Sequence, residues 1–315
     1  MDIVTWLLDS DPSIRWQVLR DLQGAPDPEV ARERERVAIE GFGAQLLALQ
    51  DAGGYWDNDE YGEDGSRKSV FWSLALMRRL GAVPADPTVH AAVEKVHESV
   101  IWKYWDNLPY FHGEVEPCIN GGVLSQGAYF GKSGEGAERI ISRLLAEQLS
   151  DGGWNCEAPE SSKVSSFDTT LCVLEGLLEH ERAVGEVPAA LAEARARGEE
   201  YLLKRSGCKR LATGEVAEDR YLNFSFPPYW FYDVLRCLDY FREAGSAFDP
   251  RLEPAVDALL AKRGSDGRWV SGIAWPGQTY LEVDAPEGDP SRWNTLRALR
   301  VLRWAGVETD GSVPA

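Results

Sequence analysis

Three segments of this 315-residue chain close a helix in the same way: Gln50-Asp-Ala-Gly-Gly54-Tyr-Trp56, Gln148-Leu-Ser-Asp-Gly152-Gly-Trp154 and Arg263-Gly-Ser-Asp-Gly267-Arg-Trp269. Each follows an apolar helical stripe (Leu46, Leu47, Leu49; Leu144, Leu145, Leu149; Leu259, Leu260) and stops it with glycine, the residue that reverses a helix end without steric cost. A turn repeated at matching offsets marks internal repeats. That constrains the fold strongly, because each repeat can bury its apolar face only against the next.

Segments with a 3.6-residue apolar period fill the space between these turns. One set spans roughly 28–50, 88–103, 135–149, 188–205 and 250–263; a second spans roughly 67–80, 119–131, 167–181, 229–244 and 292–305, with a similar helix at 12–23. The repeat is about 50 residues, one helical hairpin per unit. No stretch alternates as a strand would. The pattern predicts an all-α protein, an (α/α)6-like toroid forming one domain over 1–315, with 306–315 as a flexible tail. An open HEAT-like solenoid is the competing arrangement.

The glutamine–glycine–tryptophan turns resemble the QW motif of squalene and oxidosqualene cyclases, matched at Gln50, Gly54 and Trp56 and at Gln148, Gly152 and Trp154, with Arg263 replacing glutamine in the third copy. The resemblance extends to protein prenyltransferase β subunits, which share the toroid. It implies that Trp56, Trp154 and Trp269 brace neighbouring helices, and that an isoprenoid or other hydrophobic substrate occupies a central cavity. The chain is about half the length of a full triterpene cyclase, so one toroid is expected.

Aligning the second-set helices on a shared Leu-x-x-Leu step places Trp16, Phe71, Asp168, Tyr232 and Trp293 one turn before the first leucine. One turn is the same face, so these side chains are expected to point inward, together with Trp72 and Trp230. Rings around a cavity stabilise cations by about 0.5–2 kcal/mol each, and an acid among them suits proton donation. Asp168 is the candidate acid and Glu116 a second; helix capping is the plain alternative for Asp168. Class II cyclases carry Asp-x-Asp-Asp-Thr-Ala here, whereas this chain reads Ser165-Ser166-Phe167-Asp168-Thr169-Thr170, with Phe167 at the proton-donor position.

A metal site is the second reading. Prenyltransferase β subunits hold zinc with an Asp-x-Cys pair and a histidine, and this chain offers Glu116-Pro-Cys118, Cys156 and Asp168. Cys118, Cys156 and Asp168 are candidate zinc ligands, with His112 and Glu114 nearby. The acidic run 57–64 is a candidate Mg site for a diphosphate. Arg15, Arg292 and Asn120 are candidate substrate-binding groups. A non-catalytic toroid binding a hydrophobic ligand or a protein remains open, as does a glycan-processing toroid using Glu116 and Asp168.

Charge and composition narrow the partners. A net charge of −18 argues against nucleic acid, which needs a basic stripe, and against anionic lipid surfaces. No apolar run of about 18 residues predicts a membrane span. Five cysteines at irregular spacing fit reduced thiols, and a cytoplasmic location is expected.

Overall fold

The computed structural model describes residues 2–62 and 65–307. Most of the expected tail, 306–315, and Glu63 and Asp64 of the acidic run lie outside the described residues. The chain is an all-α toroid. Its inner helices are α2 (Pro12–Val18, continued by a π turn Leu19–Gln23), α5 (Val70–Leu80), α7 (Pro117–Tyr129), α9 (Phe167–Val184), α11 (Val234–Glu243) and α13 (Arg292–Trp304). Around them run α1 (Ile3–Leu8), α3 (Asp27–Glu35), α4 (Gly41–Ala48), α6 (Pro87–Ser99), α8 (Glu135–Glu147), α10 (Ala189–Lys204) and α12 (Glu253–Ala261). A two-residue ribbon pairs Ile101–Trp102 with Leu108–Pro109.

Local chemistry sets the helix ends. Ser166, Asp233 and Ser291 cap α9, α11 and α13 with side-chain oxygens that accept backbone N–H groups at the third residue on, filling the donors a helix start leaves open. The helix expected over 28–50 is broken into α3 and α4. Asp11 caps α2 and also accepts the Phe42 N–H at 2.8 Å. Its carboxylate lies where a Cβ on Gly41 would fall, and Gly41 takes φ +69. The kink is thus held by a long-range bond.

All three glycine–tryptophan turns are built alike. Gln50 Nε2 donates to Gly54 O (3.1 Å) and, across to α6, Ala92 O (2.9 Å). Gln148 Nε2 repeats this to Gly152 O and Ala194 O, both 2.7 Å. Arg263 makes only the local bond, to Gly267 O at 3.4 Å. Each indole N–H donates to a carbonyl of the preceding outer helix: Trp56 to Leu46 O, Trp154 to Leu144 O, Trp269 to Leu259 O. All three rings are fully buried.

Ring closure separates a toroid from an open solenoid. The last inner helix returns to the first: Arg300 Nη1 donates to Gln17 Oε1 (2.8 Å), and Arg303 donates to Asp21 O (2.7 Å) and Leu22 O (2.9 Å). Opposite this seam α7 and α9 meet backbone to backbone. A Cβ on Gly176 would lie 2.3 Å from Gly121 O, a contact only glycine permits. Among the described residues no helix is long and apolar enough to cross a membrane.

Candidate functional site

Two cavities open along the toroid axis and share a floor of Arg78, Arg79, Glu175 and Arg236. The first lies at the N-terminal ends of the inner helices and spans about 910 Å³, mouth included. Its walls carry Tyr61, Phe71, Trp72, Tyr229, Trp230 and Tyr280. Phe71 meets Trp72 edge-on at 4.7 Å, and Trp72 meets Tyr229 edge-on at 5.3 Å. Arg67 lies 4.8 Å from both the Trp72 and Tyr229 ring centroids. Ser125 lines this chamber with a buried hydroxyl that has no hydrogen-bond partner among the described residues. The chamber is therefore an aromatic box with isolated polar groups.

Cys118 stands in its wall, one residue after Pro117 begins α7. Its thiol touches the thiol of Cys156 at 2.8 Å and lies 3.6 Å from Glu116 Oε2. The loop after Trp154 delivers Cys156, steadied by Thr169, whose hydroxyl donates to its sulfur at 3.4 Å. Ligand atoms of Glu116, Cys118 and Cys156 all lie within 4.8 Å of one another, and among the described residues no other group of three His, Cys, Asp or Glu does so. Contact with Cys156 and burial push the Cys118 thiol well above its ordinary range. Beside this group Glu114 is buried, and burial raises its carboxyl to about 7. It accepts the Glu116 N–H at 2.6 Å.

Asp168 is held elsewhere. It is buried, and its two oxygens accept from Arg220 at 2.9 and 2.8 Å, one of them also taking the Tyr232 N–H at 2.7 Å. Cys118 and Cys156 therefore come together with Glu116 and not with Asp168. The helix cap at this position is the Ser166 hydroxyl, so the carboxylate is free for the Arg220 pair.

The five aligned positions separate. Phe71 lines the aromatic chamber, as do Trp72 and Trp230. Trp16 and Trp293 line the second cavity, their indoles bonded to Leu80 O and Val283 O. Tyr232 is fully buried in the wall, packed against Phe167 and Tyr221. One shared helix face does not mean one shared cavity, since Phe71 lines the first and Trp16 and Trp293 the second.

Three polar expectations are displaced as well. Arg15 pairs with Glu33 at 2.5 Å, and Arg292 lies over Trp6 at 4.9 Å and donates to its carbonyl; neither lines a described cavity. Asn120 is buried and braces Glu114, accepting its N–H and donating to its carbonyl at 2.9 and 3.1 Å. His112 offers its carbonyl to Arg139 and stands outside the thiol group. Of the acidic run, Glu60 accepts the Lys103 N–H and Asp59 accepts those of Tyr61 and Gly62, which shapes the rim. The chamber residues missed from sequence, Arg67, Tyr61, Tyr229 and Tyr280, all sit on irregular loops; the helices expected from 67 and from 229 begin only at Val70 and Val234, which leaves Arg67 and Tyr229 on the loops before them.

No family model matches the chain, and no curated relative does. Among solved structures it is similar to a polysaccharide lyase (12% identity, 98% of this chain and 92% of that one, TM-score 0.51). A glycosyl hydrolase family 88 protein from Bacteroides vulgatus is similar at 12% identity, over 96% and 90%, with TM-score 0.51. Type II terpene cyclase MstE from Scytonema matches at 18% identity, over 93% and 86%, with TM-score 0.44. At these identities the likeness is one of fold.

Proposed function

We propose that this toroid is an enzyme acting on a hydrophobic, isoprenoid-type substrate, bound in the aromatic chamber and activated at its edge by the Glu116–Cys118–Cys156 group. The observation that carries the reading is Cys118, which belongs both to the chamber wall and to the thiol–carboxylate group. The donor set of two sulfurs and one oxygen fits zinc with a position left open; it does not fit Mg, which prefers oxygen alone. Zinc bound by these three residues would supply Lewis-acid polarisation and thiolate stabilisation.

The chain's own residues do the rest. Phe71, Trp72, Tyr229 and Trp230 line the chamber with apolar ring surface that would exclude water from a hydrophobic ligand. Glu114, whose carboxyl burial raises to about 7, accepts the Glu116 N–H and so holds the loop that aims Glu116. Asp168 orients Arg220 and the start of α11 instead of donating a proton, since both its oxygens are engaged as acceptors.

Elemental analysis of the purified chain tests the metal, with about one zinc per chain expected and loss in Cys118→Ser and Cys156→Ser. A metal-free protein whose two thiols are joined as a disulfide would sink it. Incubation with polyprenyl alcohols and diphosphates, read by mass spectrometry, tests the substrate class. Tight binding of these compounds without turnover would leave a ligand-binding toroid in place of an enzyme.

A further inference from the structure

The second cavity has a character of its own. It is walled by the last turns of α5 and α7 together with α2, α9, α11 and α13, spans about 1070 Å³ with its mouth, and is faced by eight arginines against four carboxylates. This excess of positive charge sits inside a chain whose net charge is −18, so the surplus is local. Two of the arginines serve helix-end carbonyls: Arg34 donates to Gly81 O at 2.8 Å, and Arg182 donates to Glu243 O. Such ends carry partial negative charge and suit cations. The remaining six still outnumber the carboxylates.

The carboxylates present are shared several ways. Glu175 takes two bonds from Arg236 (2.8 and 2.9 Å) and one from Arg79 (3.0 Å), with Arg78 at 3.9 Å. Asp239 takes Arg300 and Arg242. Arg297 is almost fully buried, yet its nearest carboxylates, Asp233 and Asp239, both stand at 3.8 Å, beyond hydrogen-bond reach. Arg34 has no carboxylate partner among the described residues; its second nitrogen goes to the Tyr129 hydroxyl. Burial, with Arg236, Arg78 and Arg297 close by, pushes the Arg79 guanidinium down to about 10 although Glu175 opposes it. Of these arginines Arg236, Arg297 and Arg300 are buried. Arg236 and Arg300 have carboxylates in hydrogen-bond contact, whereas Arg297 donates only to the neutral oxygens of Ser225 and Asn294 at 3.3 Å and is the cation that an added anion would stabilise most.

We infer that this cavity binds a small polyanion, a molecule carrying two or more phosphoryl or carboxylate groups. Arg297, Arg79 and Arg34 contact it, and Trp16 and Trp293 form the apolar part of the wall. Guanidinium forks suit both oxyanion types in two-point contacts. The site lies across the Arg–Glu floor from the aromatic chamber, so its occupancy is independent of the zinc and isoprenoid readings. An anion bound there would compete with Glu175 and Asp239 for their arginines, and so would reach the floor of the chamber.

The test is calorimetric titration and thermal shift of the full chain with pyrophosphate and, separately, citrate, each against sodium chloride of equal ionic strength. A saturable Tm rise and measurable heat are expected with at least one of the two. Pyrophosphate alone identifies a phosphoryl ligand, citrate alone a polycarboxylate. Arg297→Gln should weaken binding about tenfold or more, as loss of a charge-assisted contact does. Should that variant fail to fold, Arg34→Gln, a change at a half-buried lining residue, carries the decision, with an expected loss of about fivefold or more. No saturable effect beyond the salt control, or binding undiminished in the folded variants, would overturn the inference.

Discussion

Asp168 and Arg220 stand 52 residues apart in sequence and form a two-point ion pair, with Oδ1–Nη1 at 2.9 Å and Oδ2–Nη2 at 2.8 Å. The pair ties the first turn of α9 to the short helical turn Asp219–Leu222, and the Tyr232 N–H completes the carboxylate. An inner helix is thereby fixed to the loop leading into the next one.

Asp168→Asn keeps the shape and an acceptor for Tyr232 but removes the charge facing Arg220. Breaking one side of a buried pair costs about 3–5 kcal/mol. The Arg220 side chain keeps 24% exposure, which places the expected loss lower, at about 2–3 kcal/mol by chemical denaturation. A double-mutant cycle with Arg220→Gln should recover much of it. Loss of turnover with unchanged stability would instead return Asp168 to the acid role.

Trp154→Ala deletes a fully buried ring and its bond to Leu144 O. The expected cost is about 3–5 kcal/mol, seen as a sharply lowered Tm, with similar losses for Trp56→Ala and Trp269→Ala.

Trp72→Ala should behave differently. Trp72 lines the aromatic chamber and supports Arg67, so affinity for a hydrophobic ligand should fall about tenfold or more, the stacking and cation–π contributions together. If ligand binding is untouched while only Tm drops, the chamber is not the binding site.

Acid should unfold this protein through its axial carboxylates. Burial alone would raise Glu175, but Arg236 and Arg79 outweigh it and hold the group well below the ordinary carboxylate range; Arg300 does the same for Asp239. A carboxylate depressed in the folded state contributes stability above its unfolded value, near 4, and loses it as pH falls toward the folded value. Between neutral and about pH 5 the buried carboxyls of Glu114 and Asp284, raised to about 7 and about 6, take up protons in the folded state and should lift Tm slightly, whereas below about pH 4 Tm should fall. Glu175→Gln, which leaves Arg78, Arg79 and Arg236 facing an uncharged amide, should be less stable at pH 7, with the gap to the parent narrowing below pH 4.

Much of the helical framework was legible because its signals are local. Apolar period, glycine stops and capping serines lie within a few residues of what they specify, so α7, α9 and α13 fall close to their expected spans. The repeated Gln–Gly–Trp offsets likewise announce one turn used three times. Where a local signal met a distant one, the distant one won: Asp11 splits the helix expected over 28–50 because its carboxylate reaches Phe42 across the fold.

The sequence by itself determined an all-α chain of helical repeats with cysteines and acids near inner helix starts. Only the tertiary structure decided which of those groups meet. Helical periodicity gives an angle around an axis but no height along it, so Trp16 and Trp293 could not be separated from Phe71 until the inner helices were placed. Pairing depends on atoms brought together from far apart: Cys118 with Cys156, Asp168 with Arg220, Arg300 with Asp239. Charge excess is subject to the same limit, since a net charge of −18 gives no hint of a cavity where arginines outnumber acids two to one.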